Sequence, residues 1–377
     1  MDRAKDPIDW LSSATHILTN PRLSPEESAR IISILESPTT PEGLLWFSTS
    51  GSTGDKGIQK WVGISRGALL TSARSVNHHL ECDSDDIWLN VLPVFHVGGC
   101  SIYARAELSG SPVYELKEWS PQEFVNAVSS LRITLSSLVP AQVHDLVQKE
   151  LPAPKSLKAI VVGGGVLSHP LYQKARALGW PLLPSYGMTE CGSQIATAPL
   201  ESLMTEALLP PLNILPHIHH KVDEEGRLHI KSPSLLSAYA HISENGYQFE
   251  VFPKDHWLKT DDIVDIQGDT IQHKGRKGDF IKIGGESVLL PHLEEIWQQA
   301  AADSGLTVQE TAISPVVDER LGYTIELFTT ASENQISQAL NLYNDKVLPF
   351  ERIRKVNQVE SIPRSALGKL LRHELSV

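Results

Sequence analysis

The chain has few cysteines and no excess of positive charge. Its 377 residues include three cysteines, Cys82, Cys100 and Cys191. They are widely separated and lack C-x-x-C spacing, which predicts reduced thiols rather than a disulfide framework or a zinc site. The 33 basic and 45 acidic residues give a formal net charge of -12. This charge disfavours nonspecific binding to nucleic acid or to an anionic membrane, but it permits a local basic pocket for a small polyanion.

Long apolar runs, internal repeats and low-complexity tracts are also missing. No 18 uncharged apolar residues follow one another, and the first ten residues are mixed and charged. We therefore expect neither a signal peptide nor a spanning helix, and we expect a soluble, cytoplasmic protein. An apolar content of 41% in a chain of this length predicts a large core and two domains.

Strand and helix patterns alternate over the first 200 residues. Two sequences of the capping-box type, one from Ser24 to Glu27 and one from Ser120 to Glu123, each predict the start of a helix. A strand over residues 157–162, a glycine turn and a helix over residues 168–178 follow. This alternation is typical of α/β layers with at least partly parallel strands.

The pattern changes after residue 199 to short strands separated by turns, one of them at Gly268-Asp269. After Gly278 we predict a compact mixture of strands and helices. Its strands lie near residues 308–313 and 323–328, its helices over residues 291–302 and 332–347, and a last strand and helix end the chain. The predicted domains are therefore residues 1–278 and residues 279–377.

One loop has the composition of a phosphate-binding site. Glycine lets backbone N–H groups face an anion, and hydroxyls and ammonium groups add donors and charge. The glycine and lysine spacing is not that of the P-loop of nucleotide triphosphatases. A flexible turn is the alternative for such a run taken alone. The residues of this loop are Thr49, Ser50, Gly51, Ser52, Thr53 and Gly54, followed by Lys56 and Lys60.

Seven segments in this order resemble the adenylate-forming superfamily of acyl-CoA synthetases, peptide-synthetase adenylation domains and luciferases. They are residues 49–54, 92–99, 163–167, 185–190, 257–262, 275–286 and 363–369. Together they cover nearly the whole chain after residue 43. Within the superfamily, residues 185–195 look most like the o-succinylbenzoate-CoA ligases of menaquinone biosynthesis.

The resemblance implies a two-domain α/β fold and an ATP-dependent acid-thiol ligase. Its large AMP-binding domain would be shortened at the N-terminus, and its small, mobile α+β domain would carry a catalytic lysine. Such enzymes attach a carboxylic acid to AMP, release pyrophosphate and pass the acyl group to CoA. The implied cofactors are ATP, CoA and Mg²⁺, and the implied partners are small molecules. A homodimer is compatible with the sequence, which does not determine the oligomeric state.

The resemblance also implies roles at the triphosphate. The loop hydroxyls and glycines would neutralise the β and γ phosphates without reorganising during the reaction. Glu190 matches the family's metal position, with Thr53 as a second ligand, and Mg²⁺ favours such oxygen ligands. Thr189 would contact the α phosphate. Taken alone, Glu190 is an ordinary solvated carboxylate at the start of a helix.

Adenosine recognition is implied for a second group of residues. Gly164, Gly165 and Tyr186 would line the adenine. Asp262 would accept hydrogen bonds from the ribose hydroxyls, and Arg276 would donate to the sugar or to a phosphate. Their alternatives are a turn residue for Asp262 and a surface cation for Arg276.

Two further residues are assigned by the same resemblance. Lys369 would bridge the substrate carboxylate and the α phosphate, where an ammonium offsets charge in the transition state; a lysine near a chain end is otherwise usually exposed and dispensable. His96 lies in the segment that borders the acyl pocket and the pantetheine tunnel in relatives. We assign it to positioning or gating rather than to acid-base work.

Some residues depart from the family pattern. The sequence leaves open whether Lys56 or Lys60 is the loop lysine, Asp261 stands where relatives have glycine, and Gly278 stands where they have an acidic residue. The alternation of His217 and His219, near His220 and His229, fits a metal site, but no cysteine or carboxylate framework supports one.

Three functions remain open at this level. The first is an o-succinylbenzoate-CoA ligase, and the second is another aryl- or acyl-CoA ligase. The third is a nucleotide-binding relative without turnover, which would have no need for Lys369.

Overall fold

A computed structural model describes residues 3–48, 58–205, 208–307, 309–364 and 370–375. The phosphate-loop residues 49–54, Lys56 and Lys369 lie outside these ranges. The α-helices are α1 (Pro25–Leu35), α2 (Arg66–His79), α3 (Val97–Ser109), α4 (Pro121–Leu131), α5 (Pro140–Gln148), α6 (His169–Ala177), α7 (Leu290–Asp303) and α8 (Glu333–Asn344).

The strands alternate with these helices early in the chain and follow one another later, so the predicted α/β class is confirmed. They are β1 (His16–Leu18), β2 (Leu44–Ser48), β3 (Gln59–Ser65), β4 (Trp88–Asn90), β5 (Val113–Glu115), β6 (Leu135–Leu138), β7 (Ala159–Val162), β8 (Leu182–Met188), β9 (Ser193–Thr197), β10 (Leu212–Ile214), β11 (His219–Val222), β12 (Arg227–Lys231), β13 (Ala238–Ser243), β14 (Gly246–Val251), β15 (Leu258–Gln267), β16 (Thr270–Arg276), β17 (Phe280–Ile283), β18 (Glu286–Leu289), β19 (Thr311–Asp318), β20 (Gly322–Thr329) and β21 (Ile353–Gln358).

The chain divides into two compact units. The first consists of Met1–Lys221, His229–Lys259 and Ile266–Gln272. The second consists of Val222–Leu228, Thr260–Asp265 and His273–Val377. The second unit therefore includes two short segments that precede residue 273 in the chain. The sequence pattern of strands and turns does not indicate that these segments belong to a different unit from their neighbours.

The largest sheet of the first unit runs in the order β10-β9-β8-β7-β6-β4-β5. The pairs from β5 to β8 are parallel, whereas β9 is antiparallel to β8 and to β10. Strand β7 explains the layering, because Ile160 and Val162 pack in one buried cluster and Ala159 and Val161 in another. Helices cover both faces, as parallel sheets require.

A smaller sheet of the first unit runs in the order β1-β2-β3-β13-β14. Trp46 and Trp61 are fully buried on it against helix α1. The capping box predicted at the start of α1 is confirmed, because Ser24 accepts from the Glu27 amide and Glu27 accepts from the Ser24 amide. This cap satisfies donors that the first turn would otherwise leave unpaired.

The second unit contains a sheet in the order β18-β17-β20-β19, with β21 parallel to β20. Helices α7 and α8 bury their apolar faces in its core, which includes Leu293, Trp297 and Ile336. A strand predicted near residues 308–313 instead spans Thr311–Asp318 and continues through Pro315. Strand β19 lies at the edge of this sheet, where a residue without an N–H is tolerated.

Two other predictions concern chain turns. The hairpin at Gly268-Asp269 is confirmed: β15 and β16 flank it, and Gly268 has φ +59°. The helix predicted after the last strand is not found in the described residues, where Arg372–Glu374 form a 3-10 turn. In the described part of the chain, no helix is both long and apolar enough to cross a bilayer.

Candidate active site

The glycine turn after β7 lies at the carboxyl end of a central parallel strand. Gly164 has φ +78°, a backbone conformation that side-chain-bearing residues rarely adopt. A Cβ on Gly163 would lie 3.0 Å from the Ser185 hydroxyl. The turn therefore passes close to β8, which carries Tyr186. Ligands of open α/β sheets bind at this edge, beyond the carboxyl ends of the strands.

A close backbone approach fixes the next part of the site. A Cβ on Gly187 would lie 1.8 Å from the Ser193 carbonyl oxygen, so only glycine fits there. The β8–β9 register shifts beside this residue, and Ser193 itself has φ +115°. A 3-10 turn, Thr189–Cys191, joins the two strands and presents Glu190. Tyr186, Thr189 and Glu190 are thus brought to one end of β8.

The Glu190 carboxylate has two donors among the described residues of the first unit. The Lys60 ammonium lies 3.2 Å from its Oε1, and the Tyr239 hydroxyl donates to the same oxygen at 3.1 Å. The ammonium also lies 3.8 Å from the centroid of the Tyr239 ring, a cation–π geometry. Burial first, and the nearby carboxylate second, raise the pKa of Tyr239, so its hydroxyl remains a donor.

This oxygen site fits a hard divalent cation. A carboxylate is the ligand type that Mg²⁺ prefers, and the ammonium now beside it shows that the position accepts a cation. Among the described residues no group of three or more His, Cys, Asp or Glu side chains has a metal-holding arrangement. Glu190 would therefore hold the ion together with oxygens from a nucleotide, as is usual for Mg²⁺ at phosphates.

His96 is the N-cap residue of α3, without a side-chain capping hydrogen bond, and its ring lies against that of Phe95 with centroids 4.5 Å apart and ring planes tilted by 48°. Burial lowers the pKa of its imidazole, which keeps the ring neutral near pH 7. The chain packs closely here, because a Cβ on Gly99 would lie 2.4 Å from the Pro93 carbonyl oxygen. A neutral, packed ring is compatible with a positioning role.

Asp262 and Arg276 come together in the second unit. Asp262 is 3% exposed on β15, and its Oδ1 accepts from Arg276 Nε at 3.0 Å. His273 Nε2 lies 3.5 Å from the same oxygen. The strand places Asp262 inward and Asp261 outward, because neighbouring side chains of a strand face opposite sides. A fixed, buried acceptor of this kind can bind vicinal hydroxyls.

Arg105 and Tyr239 also belong to the site, although the sequence motifs do not include them. Arg105 on α3 is 1% exposed, and its guanidinium donates to Ser101 Oγ at 3.0 Å and to Ser137 Oγ at 3.4 Å. Its pKa is lowered by burial to about 10, so it stays charged at neutral pH. Ser101 in turn lies 3.5 Å from Ser193, at the start of β9. The signal available in the sequence was a single charged residue within the otherwise uncharged stretch 97–106 of α3.

No carboxylate neutralises Arg105 in the part of the chain that the structure describes, and its Nε has no acceptor there. Its described partners are neutral: the Ser101 and Ser137 hydroxyls and the Trp88 ring, whose centroid is 5.4 Å away. A buried charge without a counter-ion is costly, which makes this guanidinium a candidate site for an anionic group of a ligand. For Tyr239 the sequence offers no signal, because its contact with Glu190 joins residues 49 positions apart.

The histidines at positions 217, 219, 220 and 229, whose spacing fits a metal site, do not form one among the described residues. His217 is 9% exposed, and both of its ring nitrogens lack partners there. Burial lowers the pKa of its imidazole to about 4. The ring therefore behaves as a neutral core group.

The fold and these residues define a nucleotide-dependent enzyme of the adenylate-forming type, and comparison with known families agrees. The profile of the family described as AMP-binding enzyme matches residues 11–240. The chain belongs to this family.

Two curated relatives within the family carry the same name. A 2-succinylbenzoate–CoA ligase from Oceanobacillus iheyensis is 28% identical over 87% of this chain and 68% of the relative. One from Staphylococcus aureus is 30% identical over 87% of this chain and 65% of the relative. The chain thus spans about two thirds of the length of these relatives.

The chain also resembles solved structures of such enzymes. The o-succinylbenzoate CoA synthetase from Bacillus subtilis, in complex with its acyl-adenylate intermediate, is 25% identical with a TM-score of 0.72. The match covers 88% of this chain and 69% of that chain. The Bacillus subtilis synthetase in complex with ATP and magnesium ion is 23% identical, with a TM-score of 0.73, and supports the fold.

Proposed function

We propose that the protein is an o-succinylbenzoate-CoA ligase that forms an acyl-adenylate from ATP and passes the acyl group to CoA. The shared name and acyl-adenylate complex of the relatives support this reaction. The observation that carries the choice of acid is the buried guanidinium of Arg105, which has no carboxylate partner among the described residues. A succinylbenzoate has two carboxylates, so one remains anionic after the other is joined to AMP.

The residues take the following roles in this proposal. Glu190 holds Mg²⁺, which when bound neutralises the shared phosphate oxygens. Thr189 contacts the α phosphate, and Gly164, Gly165 and Tyr186 line the adenine at the edge of the parallel sheet. His96 positions the acyl group.

The ribose and the phosphates are bound by further residues, some of which lie outside the described ranges. Asp262 binds the ribose hydroxyls, held in place by Arg276. Residues 49–54 bind the β and γ phosphates, with Thr53 as a second metal ligand, and Lys369 bridges the reacting carboxylate and the α phosphate. We propose residues 279–377 as the small domain. A cytoplasmic location and a homodimer stay predictions.

The first experiment measures exchange of pyrophosphate into ATP and CoA-dependent release of AMP, with o-succinylbenzoate as the first of a set of acids. We expect both signals with o-succinylbenzoate and Mg-ATP. Turnover on another acid alone would assign the chain to a different acyl-CoA ligase. Binding of ATP without exchange for any acid would indicate a nucleotide-binding relative.

The choice of acid is tested at Arg105. Arg105→Met removes the buried charge, and we expect KM for o-succinylbenzoate to rise about tenfold or more, as for loss of one charged contact. KM for ATP should not change. Arg105→Lys keeps the charge and should recover part of the affinity. Equal KM values for the diacid in the wild type and in the Met variant would refute the proposed role.

A further inference from the structure

The position of Lys60 is set by pairing of β3 with β13. Lys60 lies opposite His241, and Tyr239 lies two residues before His241 on β13, opposite Val62. Because alternate residues of a strand face the same side, Lys60 and Tyr239 are diagonal neighbours on one face of the sheet. The Lys60 ammonium lies over the face of the Tyr239 ring and also contacts the Glu190 carboxylate, which belongs to the 3-10 turn.

Both donors use one atom of the carboxylate. Lys60 and Tyr239 contact Oε1, whereas no described residue donates to Oε2. The side chains of Lys60 and Glu190 are 25% and 16% exposed, so the pair is partly removed from water. Its attraction is therefore screened less than that of a fully exposed pair.

We propose that Lys60 is a resident counter-ion that competes with the divalent cation for Glu190. The inference rests on the proposed function, because it takes Glu190 as the metal ligand. A metal ion bound to Oε1 would lie within about 5 Å of an ammonium that had not moved, and two like charges at that distance repel strongly. Metal binding at Oε1 therefore requires the ammonium to leave.

The arriving triphosphate offers the ammonium a new partner. Lysine carries its charge on a flexible four-carbon stem, so it can exchange a carboxylate for a phosphate. Lys60 thus disfavours metal binding in the absence of nucleotide and permits it when nucleotide and metal arrive together. This coupling gives Lys60 a role whether or not it also serves as the loop lysine.

The test measures equilibrium binding of Mn²⁺, as a Mg²⁺ substitute, by electron paramagnetic resonance of the free ion. Lys60→Met should bind Mn²⁺ about tenfold more tightly than the wild type when no nucleotide is present. A nonhydrolysable ATP analogue should reduce this difference to less than about threefold. Lys60→Arg keeps the charge and should resemble the wild type.

Lys231→Met is the matched control, because Lys231 pairs with Asp255 at 3.6 Å rather than with Glu190. It should leave Mn²⁺ affinity unchanged. Glu190→Gln should abolish the gain seen in Lys60→Met. Lys60→Gln provides a polar second variant if the Met variant folds poorly, with circular dichroism as the check on folding.

Unchanged or weaker Mn²⁺ binding in folded Lys60→Met and Lys60→Gln would overturn the inference. A gain of equal size with and without the ATP analogue would overturn the exchange of partners. Pyrophosphate exchange by the wild type is measured separately, so failure of the ligase proposal is distinguished from failure of this one.

Discussion

The two units each contain an acidic residue paired with a cation, but in different settings. Asp262 is nearly inaccessible and its side chain is 4% exposed, whereas the side chain of Glu190 is 16% exposed. Asp262 is also fixed through its own backbone, because its amide donates to Thr260 Oγ1, which donates to the Leu228 carbonyl. Glu190 stands on a single 3-10 turn.

The difference separates an acceptor that is fixed in advance from one that changes partner. A buried carboxylate with surrounding donors keeps its geometry, which suits recognition of a sugar. A more accessible carboxylate beside a flexible lysine can give up one cation for another. Asp262 and Glu190 both carry a carboxylate, so the difference between their proposed roles comes from burial and from the neighbouring residues.

We expect the largest change in reaction rate from a substitution at Lys369, rather than at Asp262 or Glu190. Lys369→Ala should slow acyl-adenylate formation about a thousandfold, because an ammonium at the reacting phosphate is lost. Thioester formation from supplied acyl-adenylate should be mainly spared. Lys346→Ala, an exposed lysine of the same unit, is the control. Comparable loss in both half-reactions would contradict the role.

The next effect tests the exchangeable carboxylate. Glu190→Gln should lower the rate constant of adenylation about a hundredfold at fixed Mg²⁺, because a neutral amide is a poor ligand for a hard cation. Pyrophosphate exchange over a Mg²⁺ titration measures it. Glu201→Gln changes an exposed carboxylate of the same unit and should have no effect. An unaltered Mg²⁺ response in Glu190→Gln would remove the metal role.

The fixed carboxylate should give a smaller effect. Asp262→Asn should weaken ATP binding about tenfold and lower the free energy of unfolding of the second unit by about 1 kcal/mol, because it removes a charged acceptor from Arg276. Calorimetric titration and chemical denaturation measure these quantities. Asp261→Asn, on the exposed side of β15, provides the control. If both variants weaken binding equally, burial does not distinguish the neighbours.

The smallest effect concerns His217, a buried ionisable group without a partner among the described residues. Its folded pKa of about 4 lies below the ordinary 6.5, so the unfolded chain takes up the proton first and stability falls as pH falls from 6.5 towards 4. His217→Leu should remove about 1 kcal/mol of the stability lost between pH 7.5 and 5.5.

Denaturation midpoints at several pH values provide the measurement for His217. His78→Leu, which replaces an exposed imidazole of α2, should leave the pH dependence as in the wild type. If the denaturation midpoint falls equally with falling pH in the wild type and in His217→Leu, this ring does not control the pH dependence of stability.

Local patterns predicted local structure well. The Ser24 cap and the Gly268 hairpin depend on neighbouring residues, and both are confirmed. At the second predicted capping box, Ser120 accepts from the Glu123 amide at 3.4 Å, which forms the serine half of the box. Such signals are readable because the interacting atoms lie within a few residues of one another.

Tertiary partners could not be read in the same way. Lys60 and Glu190 are 130 positions apart, and their meeting depends on how β3 and the turn after β8 are packed. The motif predicted that Glu190 matters without predicting what holds it. Pro315 shows the same limit, because only the sheet order makes β19 an edge strand that accepts proline.

The distribution of indole rings has a practical consequence. Of the eight tryptophans in the chain, Trp297 alone belongs to the second unit, where it is 2% exposed and its Nε1 donates to Thr311. A variant that keeps only this indole would report, by its fluorescence emission, the melting of the second unit separately from the rest of the chain.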